Sequence, residues 1–495
     1  MAFFGMREGE FMNAKMKWII PAVSAAVLAT VGGILALTGV FGKRATDEEK
    51  KDKFVLAAAV YPEFKQKPVL PDVDWEDEEY LEEHYEELEA ILEEYEETSE
   101  AYAEELAELR KDLEEYGSEK AVGAVTEFTG KSMQVLLSDR NGENRVYSPI
   151  NIYLMLGMLS EVTDGNTCQQ ILSLADAEST EDLRARSKAL WNSLYRNDNV
   201  GKCVLASSFW LSDALSDSYK KKTLDILAKE HRASAFSGKM GSEAYNEELR
   251  KWVNSQTGNL LEDAAGNLEF NDDTVAALVT TILYEARWND PFYAEKTESE
   301  TFHAQSGDVT VDFMHETKFG RYYYGDRFKA VTKEMGYDYA GGLGEMWFIL
   351  PDEGTSVDEL LSDPQVQQLI SRGEWYENAA SAKIYLAVPK FDISYDASII
   401  KPLKQMGVTD IFVPGADFSP LMDDDSLFVD QAEHAARLMI DEDGVKAAAF
   451  TFFSLGKSAM PMDEEELYFT LDRPFLFALC SETGIPLFVG VVEKP

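Results

Sequence analysis

Residues 442–460 read EDGVKAAAFTFFSLGKSAM, and this stretch is unusual for a loop. Gly444 is a candidate hinge, because glycine adopts backbone angles that other residues avoid. Three alanines and four β-forming side chains follow at 447–453, so the stretch reads as a strand that continues from 427–440. It then ends in a small, polar Gly-Lys-Ser tip at 456–458. A strand of this kind is expected to lie in a sheet, so the polar tip that follows it is unusual.

The two faces of this segment differ in polarity, because successive residues of a strand point to opposite sides. One face is uncharged and carries Val445, Ala447, Ala449, Thr451, Phe453 and Leu455. The other face carries Lys446, Ala448, Phe450, Phe452 and Ser454. The first face suits burial in a sheet, while the second can leave Lys446 in water. From the spacing alone, an ordinary core strand and a helix that begins at the alanines both stay open.

The composition of the 495-residue chain excludes several classes of function. Hydrophobic residues make up 45% and aromatic residues 12%, which is typical of a globular protein. The net charge of −44 repels phosphate backbones, so we expect no nucleic-acid partner. A basic partner, or one bound through apolar contacts, fits this surface better. The length favours two or more segments.

The reactive side chains of the sequence form no recognisable catalytic or metal-binding pattern. Three cysteines are too few for a disulfide framework, and we expect buried thiols at Cys168, Cys203 and Cys480. The five histidines are scattered, with no metal-ligand spacing. No nucleophile elbow or phosphate-binding loop is present. We therefore expect no enzyme, no metal and no cofactor.

The N-terminal region predicts a membrane anchor after a short tail, residues 1–17. Residues 18–41 carry no charge over 24 positions, which is long enough to cross a hydrocarbon core of about 30 Å. Basic residues flank both ends of this span, and its length favours an uncleaved anchor over a signal peptide. The positive charges that follow the span mildly favour a cytoplasmic side for the rest of the chain.

Two segments separate the anchor from the rest of the chain. Residues 42–73 contain Pro62, Pro68 and Pro71 and predict a stiff linker. Residues 74–117 predict an acidic helix with an apolar seam of coiled-coil spacing over 81–116. Self-association through this seam, a solitary helical spacer and a helix packed on the following domain all stay open, since like charges oppose a parallel dimer.

The remaining residues, 118–495, predict one α+β domain. Helical patterns come first, at 121–137 and 150–160. Strand patterns follow at 345–350, 382–388 and 427–440. The chain is expected to end in a hairpin of 467–480 with 486–492. Helices that precede strands in this order are typical of the α+β class.

Five segments of this region together resemble the serpin family. They are NRVYSPINIYLMLGMLSEVTDGNTCQQIL at 144–172, TTILYEARWNDPF at 280–292, LAVPKFDIS at 386–394, EHAARLMIDEDGVKAAAFT at 433–451 and DRPFLFALCSETGIPLFVGVVEKP at 472–495. The resemblance implies a serpin fold with a large β-sheet A, overlying helices, two further sheets and an exposed reactive loop. It also implies that a protease cleaves the loop and forms an acyl-enzyme. The cut loop then inserts into the sheet and traps the protease.

The resemblance also assigns roles to individual residues of this sequence. The hinge is Glu442, Gly444, Val445, Ala447, Ala448, Ala449 and Thr451. The polar groups that hold the sheet shut, and those near its top, are Asn144, Ser148, His434, Trp288 and Lys390. Lys390 is the expected partner of Glu442. Four positions depart from the family's pattern: Val445 replaces a threonine or serine, Lys446 an acidic residue, Asn151 a serine and Thr281 an asparagine.

The usual hinge length of the family places the scissile bond between Ser458 and Ala459, with Lys457 and Met460 as alternatives. A small residue there suits a serine-type protease of the elastase or subtilisin class, which is the expected covalent partner. An inhibitor of such a protease is expected on the extracytoplasmic side of a membrane, although the charges near the anchor disagree. The alternative is a non-inhibitory serpin that acts as a surface binding or scaffold protein through the acidic helix.

Overall fold

The computed structural model describes residues 53–62, 84–198, 201–272, 274–338, 341–373, 376–423, 427–445 and 465–495. Its α-helices are α1 (Tyr85–Tyr116), α2 (Ser118–Leu136), α3 (Pro149–Val162), α4 (Gly165–Leu174), α5 (Thr180–Leu194), α6 (Lys221–Glu230), α7 (Glu243–Gln256), α8 (Glu262–Gly266), α9 (Val357–Leu361), α10 (Pro364–Arg372) and α11 (Ile400–Gln405). Short 3₁₀ turns lie at Asp213–Ser218, Ala294–Lys296 and Asp410–Phe412.

One of the two sheets has eight strands, and we call it sheet A. Its neighbouring strands are, in spatial order, β1 (Val55–Ala57), β5 (Ala233–Gly238), β4 (Lys202–Ser212), β6 (Ala276–Arg287), β14 (Gly444–Val445), β13 (Val429–Ile440) and β12 (Phe391–Ser398). The two-residue strand β3 (Arg196–Asn197) pairs with β4 off this path. The strands β6 and β13 also pair directly with each other, in parallel, over part of their length.

The remaining nine strands form a second assembly, which has two parts. One part contains β15 (Glu466–Thr470), β11 (Ala379–Pro389), β8 (Gly307–Tyr324) and β7 (Glu298–Ala304). The other contains β9 (Phe328–Asp338), β10 (Gly341–Pro351), β16 (Phe475–Cys480), β17 (Pro486–Val492) and β2 (Arg145–Tyr147). Only two residue pairs, Tyr323 with Ala330 and Tyr324 with Lys329, join β8 to β9. The two further sheets that we expected therefore meet in one continuous ladder.

Sheet A is covered on both faces, and this fixes which side chains of its strands are internal. Helix α3 is buried along its whole length, as expected for a helix that is apolar on all sides. It begins at Pro149, and the Ser148 hydroxyl caps it by accepting from the Asn151 backbone N–H. Helix α7 packs on the opposite face, where Tyr245 and Trp252 surround Trp210 of β4.

The acidic helix α1 packs on the body of the domain. It contacts α5, and its buried side chains are Leu88, Ser99, Tyr102, Leu106 and Leu113. The Tyr102 hydroxyl donates to Asp198, and the Asn192 amide donates to Asp112 over 2.7 Å. The apolar seam that we predicted is therefore used for packing within the chain. The described contacts favour this alternative over a free stalk, and they give no support to self-association.

Part of the predicted linker is also structured. Within 53–62, β1 adds an edge strand to sheet A by pairing with β5. The Phe54 ring packs against Tyr245, and Tyr61 stacks on Tyr195 with ring centres 5.9 Å apart. The prediction of a simple spacer over 42–73 was wrong for these ten residues, because tertiary contacts order a segment whose own pattern is weak.

One further expectation needs correction, and another remains a prediction. The single strand predicted at 467–480 is divided into β15 and β16, which belong to different parts of the second assembly. The C-terminal hairpin is therefore β16 with β17. In the described ranges no helix is both long and apolar enough to cross a membrane. The predicted anchor at 18–41 lies outside those ranges.

Candidate functional site

The strands β6 and β13 of sheet A are joined at one end and separated at the other. Residues 429–434 of β13 pair in parallel with residues 276–280 of β6. Beyond His434 and Thr280 this direct pairing stops. The two strands continue for a further six and seven residues, to Ile440 and Arg287. Sheet A therefore has a slot between two long strands, closed at the His434 level.

Two residues of the hinge already occupy the mouth of this slot. Gly444 pairs with Arg287, and Val445 pairs with Ala286 on one side and with Ile440 on the other. Val445 is 3% exposed and belongs to the main apolar core. The strand β14 is thus the beginning of an additional central strand, antiparallel to both of its neighbours.

Gly444 is required at this point because β6 approaches its backbone closely. A Cβ atom on Gly444 would lie 2.2 Å from the Ala286 carbonyl oxygen and 2.6 Å from the Arg287 Cα. Both are backbone atoms of a central strand, so neither moves without cost. The glycine expected for a hinge therefore has a steric role in sheet A as well as a conformational one.

The turn that precedes β14 is held by side chains from three other elements. The Trp288 indole donates to the Asp441 carbonyl oxygen over 2.8 Å. Lys390 forms an ion pair with Glu442 at 2.6 Å, and the Thr297 hydroxyl donates to the same carboxylate over 2.7 Å. Burial alone would raise the pKa of Glu442, but these two donors lower it overall. The structure thus brings Trp288, Lys390 and Glu442 together above the slot.

The closed end of the slot lies at the N-terminus of helix α3. The Ser148 backbone N–H donates to His434 Nε2 over 3.0 Å, so this nitrogen is an acceptor and the ring is neutral. His434 is 2% exposed, and burial lowers its pKa to about 4. The strand register places Thr280 directly beside His434. Sequence reasoning did not single out Thr280; only the pairing of β6 with β13 reveals it.

Several polar atoms at this closed end have no hydrogen-bond partner among the described residues. They are the Asn151 Oδ1 and Nδ2 atoms, Thr280 Oγ1 and His434 Nδ1. All three side chains are buried, at 2% exposure or less. The closed end of the slot thus combines the backbone pairing of β6 and β13 with a group of buried polar side chains.

Asn144 does not belong to this group. Its side-chain oxygen accepts from the backbone N–H groups of Glu493 and Lys494 at 2.7 and 2.9 Å, and its amide donates to the Lys494 carbonyl. The strand β2 separates Asn144 from Ser148 and directs it to the C-terminal tail. The expectation that Asn144 acts beside His434 is corrected: it anchors residues 493–494.

The predicted reactive bond lies outside the described residues. Residues 446–464 include Ala447, Ala448, Ala449, Thr451 and the candidate bond positions Lys457, Ser458, Ala459 and Met460. Their two attachment points are well separated in the fold. The segment leaves from β14 in sheet A and arrives at β15 in the second assembly. At the arrival point the Tyr322 hydroxyl donates to Glu465 over 3.0 Å.

The side chains that could bind a metal ion or act as thiol nucleophiles were also compared with the predictions. No group of His, Cys, Asp or Glu among them could hold a metal ion. Cys168, Cys203 and Cys480 are free and buried, as predicted from their apolar surroundings. Burial raises the pKa of Cys203 to about 12, so this thiol is a poor nucleophile.

Comparison with known proteins agrees with this geometry. A family model described as "Serpin (serine protease inhibitor)" matches residues 123–495. An alpha-1-antitrypsin of Meriones unguiculatus is 30% identical over 383 residues, covering 75% of this chain and 89% of that protein. A serpin-like protein of Thermococcus kodakarensis is 27% identical over 399 residues, covering 79% and 89% respectively.

Solved structures show the same fold. The thermophilic serpin tengpin in its native state superposes with a TM-score of 0.67 at 24% identity, covering 76% of this chain and 94% of tengpin. Human thyroxine-binding globulin complexed with its hormone gives a TM-score of 0.64 at 23% identity, covering 76% and 98%. These matches concern the fold alone.

Proposed function

Since this chain belongs to the serpin family, we propose that it is a suicide-substrate inhibitor of a serine-type protease. In this mechanism the protease cuts the loop 446–464 and stays attached to it as an acyl-enzyme. The cut loop enters sheet A and carries the protease away from its starting position, so deacylation stalls. The observation that carries the proposal is the open slot between β6 and β13, whose mouth already contains Gly444 and Val445.

The dimensions of the slot match the loop. If the two registers of Val445 continue down the slot, Thr451 arrives level with His434 and Thr280, where direct pairing of β6 and β13 begins. Residues 445–450 thus fill the part that is open. Insertion of Thr451 and of the residues after it must separate the pairs that now close the slot, beginning with His434 and Thr280. Of the residues identified as the hinge, all except Thr451 can therefore enter before any existing pairing breaks.

The inserted strand would place its uncharged face inward. In the same register Ala447 lies level with Tyr284 and Leu438, and Ala449 lies level with Ile282. These neighbours belong to the buried inner face of sheet A. Small side chains suit this position because the layer between sheet A and α3 is already densely packed. The alternation read from the sequence therefore agrees with the side of the sheet that is buried.

The length of β6 also supports the proposed scissile bond. Leu455 would lie level with Ala276, the first residue of β6. The next three residues, Gly456, Lys457 and Ser458, would then emerge at the far end of sheet A. A cut after Ser458 releases a strand that spans the sheet completely and leaves the acylated residue outside it. We propose Ser458-Ala459 as the bond, with a protease that accepts a small side chain.

Insertion has a sufficient driving force. The eleven residues 445–455 would form on the order of ten additional backbone hydrogen bonds, which stabilise by about 0.5–1.5 kcal/mol each. Burial of the uncharged face adds roughly 25 cal/mol per Å² of apolar surface. The sum is comparable with the whole stability of an ordinary domain, about 5–15 kcal/mol. The uncut protein is in this view a kinetic trap.

The test is reaction with serine proteases of the elastase and subtilisin classes. We expect a covalent complex on denaturing gels, and a large rise in unfolding temperature after the loop is nicked. Val445→Arg should change the inhibitor into a substrate, because it places a charge on the inner face. Lys446→Arg is the matched control, since it places the same guanidinium on the outer face.

Two results would refute the proposal. Clean cleavage of the unaltered protein without any complex, at every ratio of protease, would show that no trapping occurs. A nicked protein that gains no thermal stability would show that the loop does not insert, as in a non-inhibitory serpin. Unchanged inhibition by the Val445→Arg variant would contradict the inward placement of that face.

A further inference from the structure

The two most exposed large apolar side chains of the described residues lie on one sheet face, outside sheet A. Tyr468 of β15 is 72% exposed and Phe319 of β8 is 64% exposed. The strand β11 runs between them and contributes Tyr385. Tyr468 pairs with Tyr385, and Phe319 pairs with Lys383. Residues that pair across strands share a face, so these side chains form one surface. We call Phe319, Tyr385 and Tyr468 the aromatic ledge.

Two of the three rings of the aromatic ledge are held by contacts with each other and with their neighbours. The rings of Tyr385 and Tyr468 stack with centres 4.6 Å apart and planes only 8° from parallel. Their hydroxyls donate to the two oxygens of Glu466, at 3.1 and 3.5 Å. The Lys383 ammonium lies 5.0 Å from the centre of the Tyr385 ring. Rings held in this way lose little conformational freedom when a partner binds, which favours their use in recognition.

Stability does not explain this surface. Phe319 and Tyr468 remain largely exposed in the free protein, so burial of their rings contributes little to its stability. Aromatic side chains are enriched in the centres of binding interfaces, where they contribute most of the binding free energy. An exposed aromatic group on an otherwise strongly acidic protein therefore points to a binding partner.

The position of the aromatic ledge along the chain identifies that partner. The strand β15 begins at Glu466, directly after the loop 446–464. Tyr468 lies nine positions after Ala459, a distance that at full extension is at most about 32 Å. A protease domain of roughly 250 residues has a radius of gyration of about 18 Å. A protease bound at the Ser458-Ala459 bond is thus large enough to reach this face.

We propose that the aromatic ledge is a second docking surface for the protease that attacks the loop. The inference rests on the proposed function, because the loop must be a protease target. The partner surface is an apolar rim beside the active-site cleft of the protease. Lys383 and Glu466 lie beside the rings, so polar side chains around that rim can pair with either of them. The ledge accelerates the encounter, while the loop determines whether the protease is trapped after the cut.

The experiment compares the unaltered protein with a double variant, Phe319→Thr with Tyr468→Thr. Threonine preserves strand propensity at both exposed sites, so the fold should be retained. Val413→Thr is the control, since Val413 is 45% exposed and lies in another part of the surface, beside α4. The measurement is the second-order rate at which an elastase-class protease consumes the loop, counting cleaved product and covalent complex together.

We expect the double variant to be attacked about tenfold more slowly, as for the loss of interface anchors. The control should be unchanged, and so should the ratio of complex to cleaved product. An unchanged rate of attack in the double variant would overturn the proposal. A variant that instead loses self-association in sedimentation would also overturn it, by making the ledge a contact between copies. If the unaltered protein gave only cleaved product, inhibition would fail, yet the rate of attack would still test the ledge.

Discussion

Replacement of Gly444 by alanine should expel β14 from sheet A. The added Cβ would lie 2.2 Å from the Ala286 carbonyl oxygen, a distance that real Cβ contacts do not reach. The neighbouring atoms belong to the backbone of β6, so the simplest relief is withdrawal of residues 444–445 from the slot. The pairing of Val445 with Ala286 and Ile440 would be lost with them.

The size of the effect depends on the contribution of β14. Burial of a valine side chain stabilises by about 1.5–3 kcal/mol, and Val445 is almost fully buried. The ladder bonds of a two-residue strand add about 0.5–1.5 kcal/mol each. Withdrawal should therefore cost roughly 3 kcal/mol. For a domain of this length, that loss corresponds to roughly 4 °C in unfolding temperature.

The assay is chemical unfolding combined with hydrogen exchange at the Val445 amide. We expect a lower unfolding midpoint and loss of protection at Val445, together with more substrate-like reaction with a protease. Gly123→Ala is the matched control, because a Cβ there meets nothing within 4 Å. In the middle of α2 that change should stabilise by about 0.5–1 kcal/mol. Retained protection at Val445 in the Gly444→Ala variant would refute the steric argument.

Two other perturbations test the closed end of the slot and its outer face. Burial lowers the pKa of His434 to about 4, below its value of about 6.5 in the unfolded chain. The contribution of the neutral ring to the free energy of unfolding should therefore be fully present above pH 6.5. It should be lost progressively as the pH falls towards 4, by about 3 kcal/mol in total. Unfolding midpoints measured across this range should show a shallower loss for His434→Gln, and parallel curves would contradict the assignment. Lys446→Glu should reduce the gain in unfolding temperature after cleavage, because the inserted strand would bring residue 446 level with Glu285. The reduction should disappear in a Glu285→Gln background, and its persistence there would show that the two residues do not meet.

The parts of the fold that were predictable are those whose pattern is independent of what they touch. The strand β13 shows its two faces directly in the sequence, and buried and half-buried residues alternate along it in the structure. The seam of α1 was equally visible, but an apolar stripe is the same whether it meets a second copy or α5. The three-residue strand β1 has no pattern of its own, and contacts of Phe54 and Tyr61 order it.

The same limit applies to single residues of the site: the sequence does not show which distant residues they contact. Glu442 and Lys390 were expected to meet because the resemblance to the family implied it, and their ion pair measures 2.6 Å. Asn144 was misplaced because its partners lie 349 and 350 residues away, at the C-terminus. Thr280 was missed because only the register of β6 against β13 puts it beside His434. Contacts between residues that are far apart in the sequence produce no local sequence pattern from which they could be predicted.

The geometry also explains two departures from the family's usual hinge. Val445 lies between Ala286 and Ile440, so the position requires an uncharged side chain and does not require a hydroxyl. Lys446 would enter on the outer face beside Glu285, where a lysine is attracted and an acidic residue would be repelled. Glu285 already pairs with Lys202 at 2.6 Å, so the inserted strand would extend an existing group of charges. Both substitutions therefore satisfy the physical condition that the usual residues satisfy: nothing charged enters the core when the loop becomes a strand.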